Sequence, residues 1–194
     1  MAPGGFGNNN FNPPSIIESV DTPPFFHNNA VAETIEDAIR FFNSAKFNDN
    51  CLNDAFGNPG ANVGREANAE IQLTEGEITK VGKCARVLNA LDNIRNSNEF
   101  LVDARSNSRF GINEKIQKLR LSLFDIDDAI EVLSDKGLHP SSVTDLDQAA
   151  GLIETAIDTN STSARNAIIN NAIAELTSAR GAMCTAGSDP VLCP

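Results

Sequence analysis

Six side chains in this sequence are the ones most able to bind metals, carry redox chemistry or act as nucleophiles. They are His27, His139, Cys51, Cys84, Cys184 and Cys193. No two of the cysteines are separated by two residues, and neither histidine follows a cysteine. The sequence therefore has no C-x-x-C-H pattern for covalent haem attachment and no C-x-x-C zinc or redox motif.

One cysteine pair lies at a spacing that suits a disulfide. Cys184 and Cys193 bracket the turn-rich segment TAGSDPVL, and such a loop is equally compatible with a disulfide and with two free thiols. Cys51 and Cys84 can pair only if the fold brings a loop onto a helix. The Cys184–Cys193 bridge is therefore the disulfide that we predict.

No other arrangement of residues indicates catalysis or metal binding. Two histidines are too few to argue a Ser-His-Asp or Cys-His arrangement, and no G-x-G-x-x-G or G-K-[ST] phosphate loop is present. The acidic residues between Asp125 and Glu131 lie on one predicted helix. A solvated face explains them better than a calcium site, which needs oxygens converging from a loop. We predict no catalytic residue and no metal ligand.

Charge and hydropathy exclude two further classes of function. The chain has 26 acidic and 15 basic residues in 194, a formal net charge of −11, which favours solubility or cationic partners and disfavours nucleic-acid binding. No run approaches the roughly 18 apolar residues that a spanning helix needs. The start, MAPGGFGNNN, lacks the apolar core of a secretory signal. We expect neither a membrane span nor a signal peptide.

The first part of the chain alternates irregular segments with one short helix. Residues 1–29 are rich in Gly, Asn and Pro, which predicts an irregular arm. Apolar residues then recur at helical spacing over residues 30–44. Residues 45–72 read as a long loop, of the kind that usually binds something or covers a site.

The rest of the chain carries helical patterns. A Thr74–Glu77 capping box predicts a helix over residues 75–96. Apolar residues follow a four-three heptad rhythm from Ile112 to Leu133, and two further helical stripes run from Leu146 to Ala156 and from Ile169 to Met183. Because the connections are short, the sequence predicts an all-α fold in which an antiparallel helical bundle covers residues 101–183, with the helix at 75–96 as a candidate fourth member.

Two segments resemble the C-terminal part of the bacterial di-haem cytochrome c peroxidases and their MauG-type relatives. The first is FNPPSIIESVDTPPFFHNNAVAETIEDAIRFF, residues 11–42, and the second is IQLTEGEITKVGKCARVLNALDNIRN, residues 71–96. The resemblance divides the chain into a peroxidase-like segment without haem attachment motifs, residues 1–100, and a helical extension, residues 101–194.

The resemblance implies a part of the lobe around an electron-accepting haem. His27 matches the family's proline-aromatic-His loop, with Phe26 beside it, and the position of a distal iron ligand falls on Phe42 or, with one residue of slippage, on Phe41. A phenyl ring cannot coordinate iron. The implied role of His27, Phe26 and Phe42 is therefore to surround a haem c that a partner chain or an upstream region would carry, in the periplasm or outside the cell.

Three functions follow as hypotheses. The favoured one is a C-terminal part of a di-haem peroxidase-like protein, which contributes a haem-covering loop and a partner surface to a haem-bearing polypeptide or redox protein. The chain itself would then be either a separately encoded tail or a descendant that has lost its haem, and not catalytic alone. The alternatives are a helical interaction or scaffold module without chemistry, and a small-ligand or metal-binding module that uses loop 45–72.

Overall fold

A computed structural model describes residues 33–43, 72–106 and 108–184, and within these ranges the regular structure is helical throughout. The predicted all-α class is confirmed for this part of the chain, whereas the arm at 1–29 and nearly all of loop 45–72 lie outside the described residues. The helices are α1 (Ile35–Phe42), α2 (Glu75–Ser106), α3 (Ile112–Ser134), α4 (Pro140–Asp158) and α5 (Thr162–Met183).

Local chemistry fixes the helix ends. The predicted capping box at the start of α2 is confirmed, because the Thr74 amide donates to Glu77 Oε2 at 2.8 Å and the Glu77 amide donates back to Thr74 Oγ1 at 3.4 Å. At the end of α3, Gly137 takes a left-handed φ of 61°, which favours glycine. The next turn leads through His139, at φ 44°, into Pro140 at the start of α4.

The last four helices form an antiparallel bundle in which each helix packs on its sequence neighbour and α5 returns to α2. The α2–α3 register is set by Ser97, whose hydroxyl lies 2.6 Å from that of Ser122. Asn93, earlier on α2, donates to Asp128, later on α3, at 3.3 Å. From Asn93 to Ser97 the chain advances along α2, while the residue in contact on α3 goes back from Asp128 to Ser122. The two helices are therefore antiparallel.

The bundle core consists of the apolar stripes that the sequence predicts. Every member of the α4 and α5 stripes is buried, as are three of the heptad positions of α3. Those residues are Leu119, Ile126, Leu133, Leu146, Ala149, Ile153, Ala156, Ile169, Ala172, Leu176, Ala179 and Met183. The alanines allow close approach of the helix axes, and burial of the larger side chains supplies most of the stabilisation.

Helix α2 is the longest element and extends past the end of the bundle. Its 32 residues span about 48 Å at the standard rise of an α-helix. Arg86 lies 3.9 Å from Asp135, the residue that follows α3, so residues 75–85 continue beyond the partner helix. The short helix α1 packs there, with Ile35 and Ala38 buried against Ala85.

The sequence predicted the start of α2 but ended the helix too early. The predicted end was residue 96, whereas the helix continues to Ser106. Asn93 and Ser97 in this region are buried and hydrogen-bonded to α3, so tertiary contacts compensate for polar residues that would weaken an isolated helix. The suggested division between residues 100 and 101 lies inside this one helix.

Candidate functional site

The residues that the family resemblance singles out lie almost wholly outside the described part of the chain. His27 and Phe26 are not among the described residues, and Phe42 is described only as the last backbone position of α1. Their role around a haem therefore stays a prediction. Within the described ranges, α1 contains no Met, His, Cys or Tyr, so these residues offer none of the usual axial ligands of haem iron.

The predicted disulfide is described at one end only. Cys184, the residue that follows α5, is disulfide-bonded. Cys193 lies outside the described residues, so its pairing with Cys184 remains a prediction. Cys84, on the exposed side of α2, is a free thiol.

The junction of α1 and α2 is built around a buried ion pair. Arg86 Nη1 lies 2.5 Å from Glu36 Oε1, and Arg86 Nη2 donates to Glu36 Oε2 at 2.9 Å. The two side chains are only 6% and 13% exposed. Such a two-pronged contact fixes orientation as well as distance, so it specifies how α1 sits on α2.

Gly82 makes room for this ion pair. A Cβ atom at position 82 would lie 2.5 Å from Glu36 Oε1, closer than real Cβ contacts allow. The hydrogen bond from Arg86 holds the pKa of Glu36 below its ordinary value, against the opposing effect of burial. The junction therefore depends on one glycine, one carboxylate and one guanidinium.

Polar contacts close the other end of α1. The Asn43 side chain accepts a hydrogen bond from the Leu73 amide and donates one to the Leu73 carbonyl, both at 2.9 Å. Arg40 donates to Glu75 at 2.9 Å on the exposed side. These contacts join the residue after α1 to the residues just before and at the start of α2, although about thirty residues separate them in sequence.

A layer of buried polar side chains lies along the middle of α2. Asn89, Asp92, Asn93 and Ser97 are each at most 4% exposed. The apolar spacing of this helix does not indicate such a layer, so the layer was not predicted. The signal was present as the unusual density of Asn, Asp and Ser between residues 89 and 98, which is unfavourable for a helix that is not held by tertiary contacts.

A groove of about 180 Å³ separates α2 from α5 at the end of the bundle near Cys184. Ile94 and Leu176 give it an apolar wall, and Asn98, Thr177 and Arg180 contribute polar atoms. Arg180 is partly buried, and this burial lowers its pKa, as does the nearby positive charge of Arg95.

Two other surface regions have fewer polar groups that are able to bind a ligand. A wide depression between α4 and α5 is lined by neutral side chains and Glu175, with no cation among its lining residues. On α3, Lys118 lies 4.7 Å from the ring centroid of Phe100 and 3.3 Å from Asp103. The ammonium group of this lysine already interacts with an aromatic ring and a carboxylate, and these contacts stabilise the packing of α3 on α2.

The predicted acidic face of α3 is partly solvated. Asp127 and Glu131 are exposed, whereas Asp128 accepts a hydrogen bond from Asn93. The same helix exposes Leu121 and Phe124, whose exposed fractions are 47% and 68%. In the three described ranges, no group of three or more His, Cys, Asp or Glu residues is arranged to hold a metal ion.

None of the described helices combines the length and apolar content that crossing a bilayer requires. No model of a known protein family matches the chain, and neither a curated protein nor a solved structure gives a match.

Proposed function

We propose that the chain is a non-catalytic helical component of a haem-bearing peroxidase or electron-transfer assembly. In this proposal, residues 11–97 contribute the haem-covering loop that carries His27, and the bundle contributes a partner surface. The haem c, and with it the chemistry of peroxide reduction, belongs to the partner polypeptide. This chain supplies packing and orientation.

The observation that carries the proposal is the packing of α1 on α2. The two segments that resemble the peroxidase family, residues 11–42 and 71–96, contain the whole of α1 and the first part of α2. The structure packs α1 on the first turns of α2 through Glu36 and Arg86. Two separated stretches with the same resemblance would be expected to pack in this way if they derive from one ancestral unit.

The exposed apolar residues of α3 support the partner surface. Phe124 and Leu121 lie three residues apart, so they share one face of the helix. Exposed Asp127 and Glu131 lie on the same helix. An apolar centre with an acidic border suits a partner with basic residues around an apolar side chain.

The test is purification of the tagged chain from its native cells. Expected is a co-purifying polypeptide with a Soret band and a pyridine haemochrome spectrum of haem c, while this chain itself is colourless after separation. A Soret band that stays with this chain after acid-acetone extraction would contradict the absence of covalent haem. Recovery of partners without any haem would overturn the proposal.

Two variants test separately the α1–α2 junction and the exposed apolar surface of α3. Glu36→Gln loosens α1 and should reduce the co-purified haem if the α1–α2 junction positions the partner. Phe124→Ser removes the apolar centre of the α3 surface and should do the same if that surface docks. Ile112→Ser is the matched control, since Ile112 is an exposed apolar residue at the start of the same helix.

A scaffold module without redox chemistry is the second candidate, and the closed bundle favours it. The bundle has a continuous core of its own, so it can fold without a cofactor. Cooperative unfolding of the isolated colourless chain, together with the recovery of haem-free partners that Phe124→Ser abolishes, would support this function over the first.

The third hypothesis, ligand or metal binding by loop 45–72, concerns residues that are almost all outside the described part of the chain. Elemental analysis of the purified protein tests it directly. A stoichiometric metal that is lost on deletion of residues 45–70 would favour this hypothesis over the other two.

A further inference from the structure

We propose that the outer face of α3 is a self-association surface, on which a second copy of this chain packs antiparallel about a two-fold axis near Phe124. In this arrangement Arg120 of each copy pairs with Asp127 of the other copy. The inference does not depend on the haem-related proposal. A polypeptide that docks on the same face would displace the second copy.

The first observation is an apolar patch on the side of α3 that faces away from the bundle core. Phe124 is 68% exposed and Leu121 is 47% exposed, and three residues separate them on the helix. A phenylalanine side chain removes about 150–250 Å² from solvent when it is fully buried. Covering this patch would therefore stabilise a complex.

The second observation is the regular spacing of the exposed residues around this patch. Gln117, Arg120, Phe124, Asp127 and Glu131 are all exposed and follow one another at intervals of three and four residues. Residues at this spacing form a stripe that can face a second helix along its length. The outer side of α3 thus has a seam of its own, in addition to the one that it buries in the bundle.

The third observation is the order of the charges along this stripe. Arg120 lies four residues before Phe124 and Asp127 lies three residues after it, which is about 6 Å and 4.5 Å along the helix axis. In an antiparallel pair centred near Phe124, each arginine therefore lies opposite an aspartate. A parallel pair would place identical charges side by side, which is unfavourable.

Both charged residues are available for this pairing. They are seven residues apart, whereas side chains that meet on one helix are three or four residues apart. Among the residues that the structure describes, neither Arg120 nor Asp127 takes part in an ion pair. A two-fold interface brings the same surface of both copies together, so one second copy supplies an opposite charge to each of them.

A second copy also has the properties that this face favours in a partner. The acidic residues beside the patch, Asp127 and Glu131, favour a partner with a basic residue next to an apolar one, and Arg120 next to Phe124 meets that description. The stripe is short compared with the roughly 20–30 residues that each partner contributes to a standard interface. We therefore expect a weak, reversible dimer.

The experiment is analytical ultracentrifugation of the full chain at protein concentrations up to about 1 mM, which detects dissociation constants in the millimolar range. We expect the average mass to rise with concentration from that of a monomer to that of a dimer. It should rise no further, because a two-fold interface is closed. Non-reducing electrophoresis should show no covalent dimer through the exposed thiol of Cys84.

A charge swap tests the pairing and its direction. Arg120→Glu and Asp127→Arg should each weaken the dimer roughly tenfold or more, because each variant places like charges opposite each other. The double variant Arg120→Glu/Asp127→Arg has opposite charges across the interface again and the net charge of the parent chain, so it should dimerise as the parent does.

Two further variants complete the set. Phe124→Ser removes the apolar centre of the face and should leave the chain monomeric. Lys83→Glu is the matched control for altered net charge, since Lys83 is an exposed residue of α2. This control should dimerise nearly as the parent chain does.

Each outcome decides the proposal. A dimer that the single reversals weaken and the double variant restores supports the antiparallel interface. A chain that stays monomeric at about 1 mM overturns it. A covalent dimer, or a dimer that the single reversals leave unchanged or the double variant fails to restore, also overturns it.

These outcomes are separate from the test of the proposed function. A monomeric chain that still recovers a haem-bearing polypeptide would overturn the self-association and leave the proposed function in place. A dimer with the expected response to the charge swap, recovered without any haem-bearing partner, would do the reverse.

Discussion

Glu36 and Arg86 are fifty residues apart in the chain and meet through two parallel contacts of 2.5 and 2.9 Å. Helix α1 has only eight residues and buries few apolar side chains, chiefly Ile35 and Ala38. Helices this short are not stable in isolation. The ion pair is therefore an important contact holding α1 on α2, beside the two hydrogen bonds between Asn43 and Leu73.

Replacing Glu36 with Gln should release α1 from α2. The variant leaves the buried Arg86 with only the exposed Asp135, 3.9 Å away, as a charged partner. Removing one partner of a buried pair costs about 3 kcal/mol. Because α1 can detach while the bundle stays folded, the loss should be local. Hydrogen exchange measures it: amides of residues 38–42 should lose protection, whereas those of α4 should not.

The control for this variant is Arg40→Gln. Arg40 pairs with Asp37 and Glu75 on the exposed side of α1, where ion pairs contribute little. Protection of the α1 amides should change little. Equal loss of protection in the two variants would show that the buried pair has no special role.

Gly82→Ala should destabilise the junction, although alanine is the better helix former. The new Cβ would lie 2.5 Å from Glu36 Oε1 and 2.9 Å from Glu36 Cδ, so the carboxylate must move away from Arg86. Gly151→Ala on α4 is the matched control, since its Cβ meets no atom within 4 Å. This control should stabilise the protein by up to about 1 kcal/mol, by propensity alone.

Chemical denaturation and hydrogen exchange of the two alanine variants separate the effects. We expect the Gly151→Ala variant to have a higher free energy of unfolding and the Gly82→Ala variant to lose protection in α1. A higher free energy of unfolding for the Gly82→Ala variant, with the α1 amides still protected, would contradict the close packing of Glu36 against Gly82.

The docking of α1 should weaken in acid. The hydrogen bond from Arg86 holds the folded-state pKa of Glu36 below its ordinary value of 4.5. A carboxylate whose pKa is lowered by folding contributes stability that is complete above its unfolded pKa and is lost as the pH falls through the folded pKa. The contribution should therefore be constant from pH 7 to about 5 and disappear at lower pH.

Comparison with Glu36→Gln isolates this effect from other carboxylates. The pKa of Asp37 is also lowered, by its hydrogen bond with Thr34, and that of Asp135 by its hydrogen bond with Lys136. Both groups are unchanged in the variant. The difference in α1 protection between parent and variant should shrink as the pH falls below 4.5, and a difference that grows would contradict the assignment.

Ser97 and Ser122 should behave as a coupled pair. Their hydroxyl oxygens lie 2.6 Å apart and both side chains are fully buried between α2 and α3. Either single alanine variant leaves one buried hydroxyl without its partner, at a cost of about 1–3 kcal/mol. The double alanine variant should cost less than the sum of the two. Urea denaturation of the parent, the two single variants and the double variant gives the coupling free energy. A coupling free energy of zero, which means that the two effects add, would contradict the prediction.

Much of the bundle is predictable from apolar spacing, because its helices bury one face each. In α3, Leu119, Ile126 and Leu133 were predicted to face a partner and are fully buried, and the half-buried Ile116 and Leu123 flank them. The exception is Ile112, which is 49% exposed because it begins the helix, where the bundle ends.

The junction and the groove could not be predicted in the same way. Arg86 reads in the sequence as a surface residue of an amphipathic helix, and only the tertiary position of Glu36 makes it a buried one. The groove is lined by Ile94 from α2 and Leu176 from α5, so it exists only because α5 returns to α2. The spacing of residues along one helix does not predict contacts between residues that are far apart in the sequence.

The continuity of α2 has a mechanical consequence. One unbroken helix, without proline, holds α1 at its first turns and packs against α3 and α5 over the rest of its length. A helix of this length transmits displacement along its axis as a rod, since bending it would break backbone hydrogen bonds. A force applied to α1 would therefore be transmitted along residues 75–85 to the part of α2 that packs in the bundle.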